Sequence, residues 1–75
     1  MTLYEGKIGT SYEVSEVFVE ENITRRLEAL GLNAKTVVTI LNRKRKGAMI
    51  IKVRGTRLAI GKHIAKSIEV KGEKL

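Results

Sequence analysis

The chain has 75 residues, 43% of them hydrophobic and 31% charged, a composition typical of a soluble globular protein that forms a single domain over residues 1–75 with one modest core. It contains no cysteine, which excludes disulfides, thiolate nucleophiles and thiolate-bound zinc and favours the reducing cytoplasm for so small a domain. Fifteen Lys and Arg against eight Asp and Glu give a net charge of +7, which indicates an anionic partner (nucleic acid, a membrane surface or an acidic protein) or only a well-solvated surface.

The first predicted element is a strand over about Gly9–Val19, which is rich in β-branched and aromatic residues. Its alternation changes phase along the strand. Tyr12 and Val14 share one face, whereas Val17 lies on the other. We therefore expect a bulge or a strong bend near Ser15–Glu16, as strands of small barrels often require.

A short helix is predicted next, with Asn22 in the N-cap position. Ile23, Leu27 and Leu30 follow at spacings of four and three residues, which places them on one face of the helix. Gly31 then supplies a residue that readily adopts positive φ at the helix end. We expect the three apolar residues to cap one end of the core.

Short β-like segments separated by glycines make up the rest of the chain. The run after the helix is nearly continuously apolar, and the next segment alternates with a period of two, as a half-buried strand does. Five strands and one helix in so few residues predict a mainly β fold, a small SH3-like barrel of about five strands. The predicted later elements are strands at Thr36–Leu41, Met49–Val53, Leu58–Ile60 and Ile68–Val70, and a single helical turn within Gly61–Lys66.

Three segments, in order and in register, resemble the FeoA family over about residues 9–70. They are Arg25–Leu32, which ends in Leu-Gly-Leu, Lys52–Ile60, which contains a glycine turn, and Ala65–Val70. The resemblance implies a small cytoplasmic, non-enzymatic protein that supports the ferrous iron permease FeoB, a membrane protein with a cytoplasmic GTPase domain, by protein–protein contact. The same fold resembles the C-terminal regulatory domain of iron-dependent repressors of the diphtheria-toxin-repressor type.

The chain departs from the family pattern in two places. Ala34 and Lys35 stand where the family commonly has Pro-Gly, so the turn after Leu32 is expected to form differently. Gly61 stands where many members carry an Arg, so any contribution of that Arg to partner binding is missing.

Two groups of residues are candidates for a partner-binding surface. The helical residues form either part of the core or, if the apolar stripe is left partly exposed, an apolar patch with a basic rim. The basic run that follows the second strand is either a solvated hairpin loop or an electrostatic contact with an acidic protein or the inner membrane leaflet. The candidate residues are Arg25, Arg26, Leu27, Arg43, Lys44, Arg45 and Lys46.

We expect no catalytic, cofactor or metal site. His63 is the only histidine, whereas ferrous iron sites use several His and carboxylate ligands. The glycines within Gly6–Thr10 lack the Gly-Lys-Ser/Thr ending of a phosphate-binding loop. No grouping of a nucleophile with a base is suggested by the sequence.

The competing function is nucleic-acid binding, since small basic barrels often bind RNA or DNA. The aromatic residues number only three, Tyr4, Tyr12 and Phe18. Single-stranded binders normally expose several aromatic rings on one sheet face, and Tyr12 and Phe18 are as suited to the core. Nucleic-acid binding is therefore the less favoured function.

Overall fold

The computed structural model describes residues 1–74, with side chains up to residue 72. A 3-10 turn at Leu3–Glu5 precedes the first strand. The strands are β1 (Ser11–Val17), β2 (Val37–Arg43), β3 (Met49–Val53), β4 (Thr56–Ile60) and β5 (Ile68–Lys74), and the helices are α1 (Glu21–Ala29) and α2 (Lys62–Lys66). The predicted order of strands and helices is confirmed.

The five strands form one antiparallel sheet in the order β4-β3-β2-β1-β5. Every strand contributes side chains to the same core, so the sheet curls around a single interior. The alternation predicted for β3 is confirmed, because its odd-numbered residues are fully buried. The fully buried core side chains include Tyr12, Val14, Val38, Ile40, Met49, Ile51, Val53 and Ile68.

The bend predicted in β1 is confirmed. The pairing of β1 with β5 shifts register between Val14 and Glu16, and again between Tyr12 and Glu13. A further shift occurs in β2 between Ile40 and Asn42. Such bulges bend a strand, which allows a small sheet to close around its core.

Residues 1–5 have a structural role that the sequence reading did not assign. The Leu3 side chain is fully buried, and the Met1 carbonyl accepts a 2.8 Å hydrogen bond from the Val70 amide on β5. Thr2 and Glu5 form a capping box, a pattern that is visible in the sequence as Thr-x-x-Glu. The N-terminal segment thus covers the free edge of β5.

Asn22 is not the N-cap of α1, so that prediction is wrong. The cap position is Glu20, whose side chain makes no capping hydrogen bond, and the helix begins at Glu21. The reason lies in the preceding strand: the Phe18 amide still bonds the Ser67 carbonyl at 2.7 Å, and the chain turns into the helix within two residues of it. The helix end is as predicted, with Gly31 at a φ of 93°.

The connections after α1 follow the predicted pattern, but β2 ends two residues later and β4 begins two residues earlier than predicted. Arg43 is the last residue of β2 rather than part of the loop, and the β2–β3 turn is closed by a 3.0 Å bond from the Gly47 amide to the Lys44 carbonyl. The turn between β3 and β4 falls on Arg54 and Gly55, both with positive φ. The single helical turn predicted within Gly61–Lys66 is present as α2, on which Ala65 is fully buried.

Candidate functional site

An open apolar groove of about 220 Å³ lies between α1, β4 and the start of α2. Aliphatic side chains from all three elements form its walls, and one arginine lies at its rim. The lining residues are Ile23, Arg26, Leu27, Leu30, Leu58, Ala59, Ile60, Gly61 and Ile64.

The amphipathic pattern of α1 builds one wall of this groove. Leu27 is buried in the core and forms part of the groove floor, as a stripe residue should. Leu30, however, is 50% exposed, so the expectation that it caps the core is wrong. It occupies the C-cap position, where the helix ends and the chain turns at Gly31, and no element of the described chain covers it. Ile23 is half-buried.

Of the helical candidates, the structure brings Arg26 and Leu27 to the groove. Arg25 does not line the groove, and its Nη2 forms a 2.7 Å ion pair with Glu21 Oε1 one turn earlier on the exposed face. Arg26 is exposed at the rim and forms no ion pair among the described residues. The groove is therefore apolar inside and basic at one edge.

The second candidate group lies on a different surface. Arg43 is half-buried: its Nη2 donates a 2.8 Å bond to the Gly6 carbonyl, and its guanidinium lies 4.9 Å from the centre of the Tyr4 ring. Lys44, Arg45 and Lys46 are exposed at the β2–β3 turn. None of these four residues lines the groove.

The groove carries no catalytic grouping. Its titratable residue is Arg26, and the pocket holds neither a carboxylate nor an imidazole. His63 lies outside it, exposed on α2, with Nε2 3.8 Å from Glu20 Oε1. Among the side chains of residues 1–72, no three His, Asp or Glu groups converge on a point where they could hold a metal ion.

The three aromatic residues do not form a stacking platform. Tyr12 is buried and its hydroxyl accepts a 2.8 Å bond from the Lys7 amide. Tyr4 is half-buried beneath basic side chains, and Phe18 is 62% exposed beyond the end of β1. The rings therefore lie in three different environments, unlike the exposed rows that bind single strands.

Sequence reasoning missed the second wall of the groove, formed by Leu58, Ile60 and Ile64. The sequence signal was limited to the apolar residues Leu58 and Ile60 before Gly61 and Ile64 three residues after it. Which of these side chains faces α1 depends on how the sheet curls, and that is a tertiary property. Tyr4 was likewise not assigned to a basic surface, because the basic residues around it come from β2 and α2, both distant from it in sequence.

The curled five-stranded sheet with short helices is a small SH3-like β-barrel. A Stenotrophomonas maltophilia FeoA complexed with zinc, described as a prokaryotic SH3 domain protein proposed to act as a bacterial ferrous iron transport activating factor, is 32% identical, with a TM-score of 0.80 over 95% of this chain and 89% of that chain. The predicted fold class is thereby confirmed.

The FeoA domain model matches residues 1–72, and the chain belongs to the FeoA family of ferrous iron transport proteins. The FeoA protein from Chlorobium tepidum is 31% identical, with a TM-score of 0.88 over 93% of this chain and 68% of that chain. A search of curated proteins finds no match.

A manganese-dependent transcriptional repressor shares the fold alone. It is 17% identical, with a TM-score of 0.84 over 93% of this chain and 40% of that chain. The similarity to a repressor domain that the sequence suggested is thus seen at the level of the fold. In the described residues, no helix has the length and apolar character needed to cross a membrane.

Proposed function

We propose that this protein is a non-enzymatic, cytoplasmic accessory protein of ferrous iron uptake that binds the cytoplasmic part of the permease FeoB through the groove beside α1. The observation that carries the proposal is the half-exposed Leu30 at the mouth of an apolar groove with Arg26 at its rim. An apolar surface with a polar rim is the usual composition of a protein–protein contact.

The chemistry of the groove indicates what would occupy it. Its walls are aliphatic and its rim is basic, so it suits an apolar side chain or short helix of the partner that carries an acidic residue nearby. The size of the groove matches one or two inserted side chains rather than a bound cofactor. Any GTP hydrolysis that the contact affects is then performed by the partner.

The function of a regulatory domain such as that of the repressors is the second candidate. It is favoured only by fold similarity at 17% identity, which is a weaker argument than a site. Binding to FeoB therefore remains the better supported function.

The test is calorimetric titration of the protein with the cytoplasmic GTPase region of FeoB from the same organism, at two salt concentrations and with each guanine nucleotide. Leu30→Asn removes the exposed apolar contact at the C-cap of α1, after the last helical residue, so the helix is expected to remain folded. Because it withholds about half a leucine side chain from burial, we expect about a tenfold weaker Kd.

Phe18→Asn is the matched control, since Phe18 is also an exposed apolar residue but lies outside the groove. We expect it to bind FeoB like the unaltered protein. If the Phe18 variant lost binding and the Leu30 variant kept it, the contact would be assigned to another surface. No binding up to about a millimolar concentration would contradict the proposed function itself.

A further inference from the structure

Three basic side chains, one from β2 and two from α2, converge on the Tyr4 ring. The Arg43 guanidinium carbon lies 4.9 Å, Lys66 Nζ 5.4 Å and Lys62 Nζ 5.7 Å from the ring centre. All are within the range of a cation–π interaction, and the ring is fixed because it packs against the core. The tyrosine thus holds in one place three cations that would otherwise repel one another.

The β2–β3 turn extends this cluster. Gly47 lies directly against Lys62, since a Cβ at Gly47 would be 3.0 Å from Lys62 Cδ. The exposed basic residues of the turn therefore lie beside the start of α2. We call the whole surface the Tyr4 basic face; its cations are Arg43, Lys44, Arg45, Lys46, Lys62 and Lys66.

The described carboxylates leave this face unneutralised. Among the side chains that the structure describes, none of its six cations forms an ion pair. Glu5, adjacent to Tyr4 in sequence, instead accepts hydrogen bonds from the Thr2 amide and hydroxyl at 2.7 and 3.2 Å. Six unneutralised positive charges on one surface favour a multivalent anionic partner.

We propose that the Tyr4 basic face binds the anionic headgroups of a membrane leaflet. Each Lys or Arg near such a surface adds to the attraction, and clusters of this size are typical of surfaces that bind anionic lipid. Ile8 supports this partner: it is 56% exposed and follows Gly6, whose carbonyl is bonded to Arg43, by two residues. A basic surface bordered by an apolar and an aromatic residue suits the membrane interface.

A nucleic acid fits this face less well. Single strands bind by stacking bases on open aromatic rings, and the face of Tyr4 is already occupied by three cations, so duplex nucleic acid, held through its phosphates, is the rival that the test must address. Membrane binding by this face does not depend on the groove or on FeoB, so it is measured with lipid and protein alone.

The experiment is co-sedimentation with vesicles of phosphatidylcholine alone and of phosphatidylcholine mixed with phosphatidylglycerol. We expect binding only to the mixed vesicles, weakened by salt. Lys62→Gln with Lys66→Gln should weaken it about 25-fold, because each basic residue near an anionic leaflet contributes about a fivefold factor. Both residues are exposed, and circular dichroism verifies that the variant is folded.

The matched control is Lys35→Gln with Lys52→Gln, which lowers the net charge by the same two units, from +7 to +5. These lysines are exposed and lie toward the opposite ends of β2 and β3 from the β2–β3 turn, so we expect a much smaller loss. If both variants lost vesicle binding equally, the binding would depend only on net charge, and the proposal would be overturned.

Two further outcomes would also overturn it. One is the absence of binding to phosphatidylglycerol vesicles at low salt. The other is measured by fluorescence anisotropy with single-stranded RNA and duplex DNA. If the protein bound either of them more tightly than the vesicles, and the Lys62/Lys66 variant did not, this face would be assigned to nucleic acid.

Discussion

Two non-glycine residues of the described backbone, Lys35 and Arg54, have positive φ angles, 72° and 51° respectively. Lys35 is the third residue of a turn in which the Thr36 amide bonds the Asn33 carbonyl at 3.1 Å, the arrangement of a type II turn. Glycine is favoured at this position, and it is where the FeoA pattern commonly has the glycine of Pro-Gly. The expectation that this turn forms differently is therefore wrong: it is a type II turn with a lysine in the position that favours glycine.

We expect Lys35→Gly to stabilise the protein by about 1 kcal/mol. A left-handed conformation costs a residue with a Cβ about 1–2 kcal/mol. Glycine avoids this cost but offsets part of the gain, because its unfolded state has more conformational entropy. Urea unfolding, followed by circular dichroism, measures the difference in the free energy of unfolding.

Lys52→Gly is the control for the Lys35 prediction. Lys52 is also an exposed lysine, but it lies within β3, where glycine is unfavourable by about 0.5–1 kcal/mol. The two variants should therefore change stability in opposite directions. Destabilisation by Lys35→Gly would mean that the lysine side chain contributes more than its backbone costs.

Among the elements, the N-terminal 3-10 turn depends most visibly on one ionised group. The hydrogen bonds that Glu5 accepts from the Thr2 amide and hydroxyl lower the pKa of its carboxyl from the ordinary value of 4.5. The folded state therefore favours the charged form. The resulting stabilisation is fully present above pH 4.5 and is lost as the pH falls through the lowered pKa of the folded state.

Glu5→Gln should remove this part of the acid dependence. The amide oxygen still accepts a hydrogen bond but does not titrate, so we expect the variant to lose less stability than the parent between neutral pH and about pH 3. Thermal unfolding across that range measures it, with Glu16→Gln, an exposed β1 glutamate, as the control. If the parent and Glu5→Gln lost the same stability between neutral pH and about pH 3, the role of the capping box would be contradicted.

The elements also show which features are readable from the sequence. The alternation of β3, the bulge of β1 and the glycine end of α1 were predicted because each depends on neighbours within a few residues. The start of α1 was misplaced because the length of β1, set by its pairing with β5, decides where the helix begins.

The groove shows the same limit at the candidate site. Arg26 and Leu27 could be found on one helix, but the exposure of Leu30 depends on what the rest of the chain leaves uncovered. Leu58 and Ile64 reach the groove only through the curl of the sheet and the position of α2. Periodicity within one segment carries no information about the exposure of Leu30 or about the second wall of the groove.

At the scale of the whole molecule, positive charge is poorly compensated. Fifteen basic residues face eight acidic ones, and the described residues form three ion pairs, one of them to His63 and one to the N-terminus. Self-repulsion of a net charge of +7 destabilises the compact state, and it is greatest where the Tyr4 basic face gathers six cations.

Sodium chloride should therefore raise Tm as it is increased from very low ionic strength to about 0.15 M, where charges more than about 8 Å apart are screened. An effect of about 1 kcal/mol would shift the Tm of a domain this small by about 4–8 °C. The rise in Tm should be smaller in the variant Lys62→Gln with Lys66→Gln, whose net charge is two units below the parent value of +7. It should be larger in the variant Glu16→Gln with Glu28→Gln, whose net charge is two units above that value. Scanning calorimetry of the three proteins tests this order. A Tm that falls with salt in the parent would mean that its few ion pairs outweigh its self-repulsion. The expected order would show that the excess positive charge lowers the stability of the folded state.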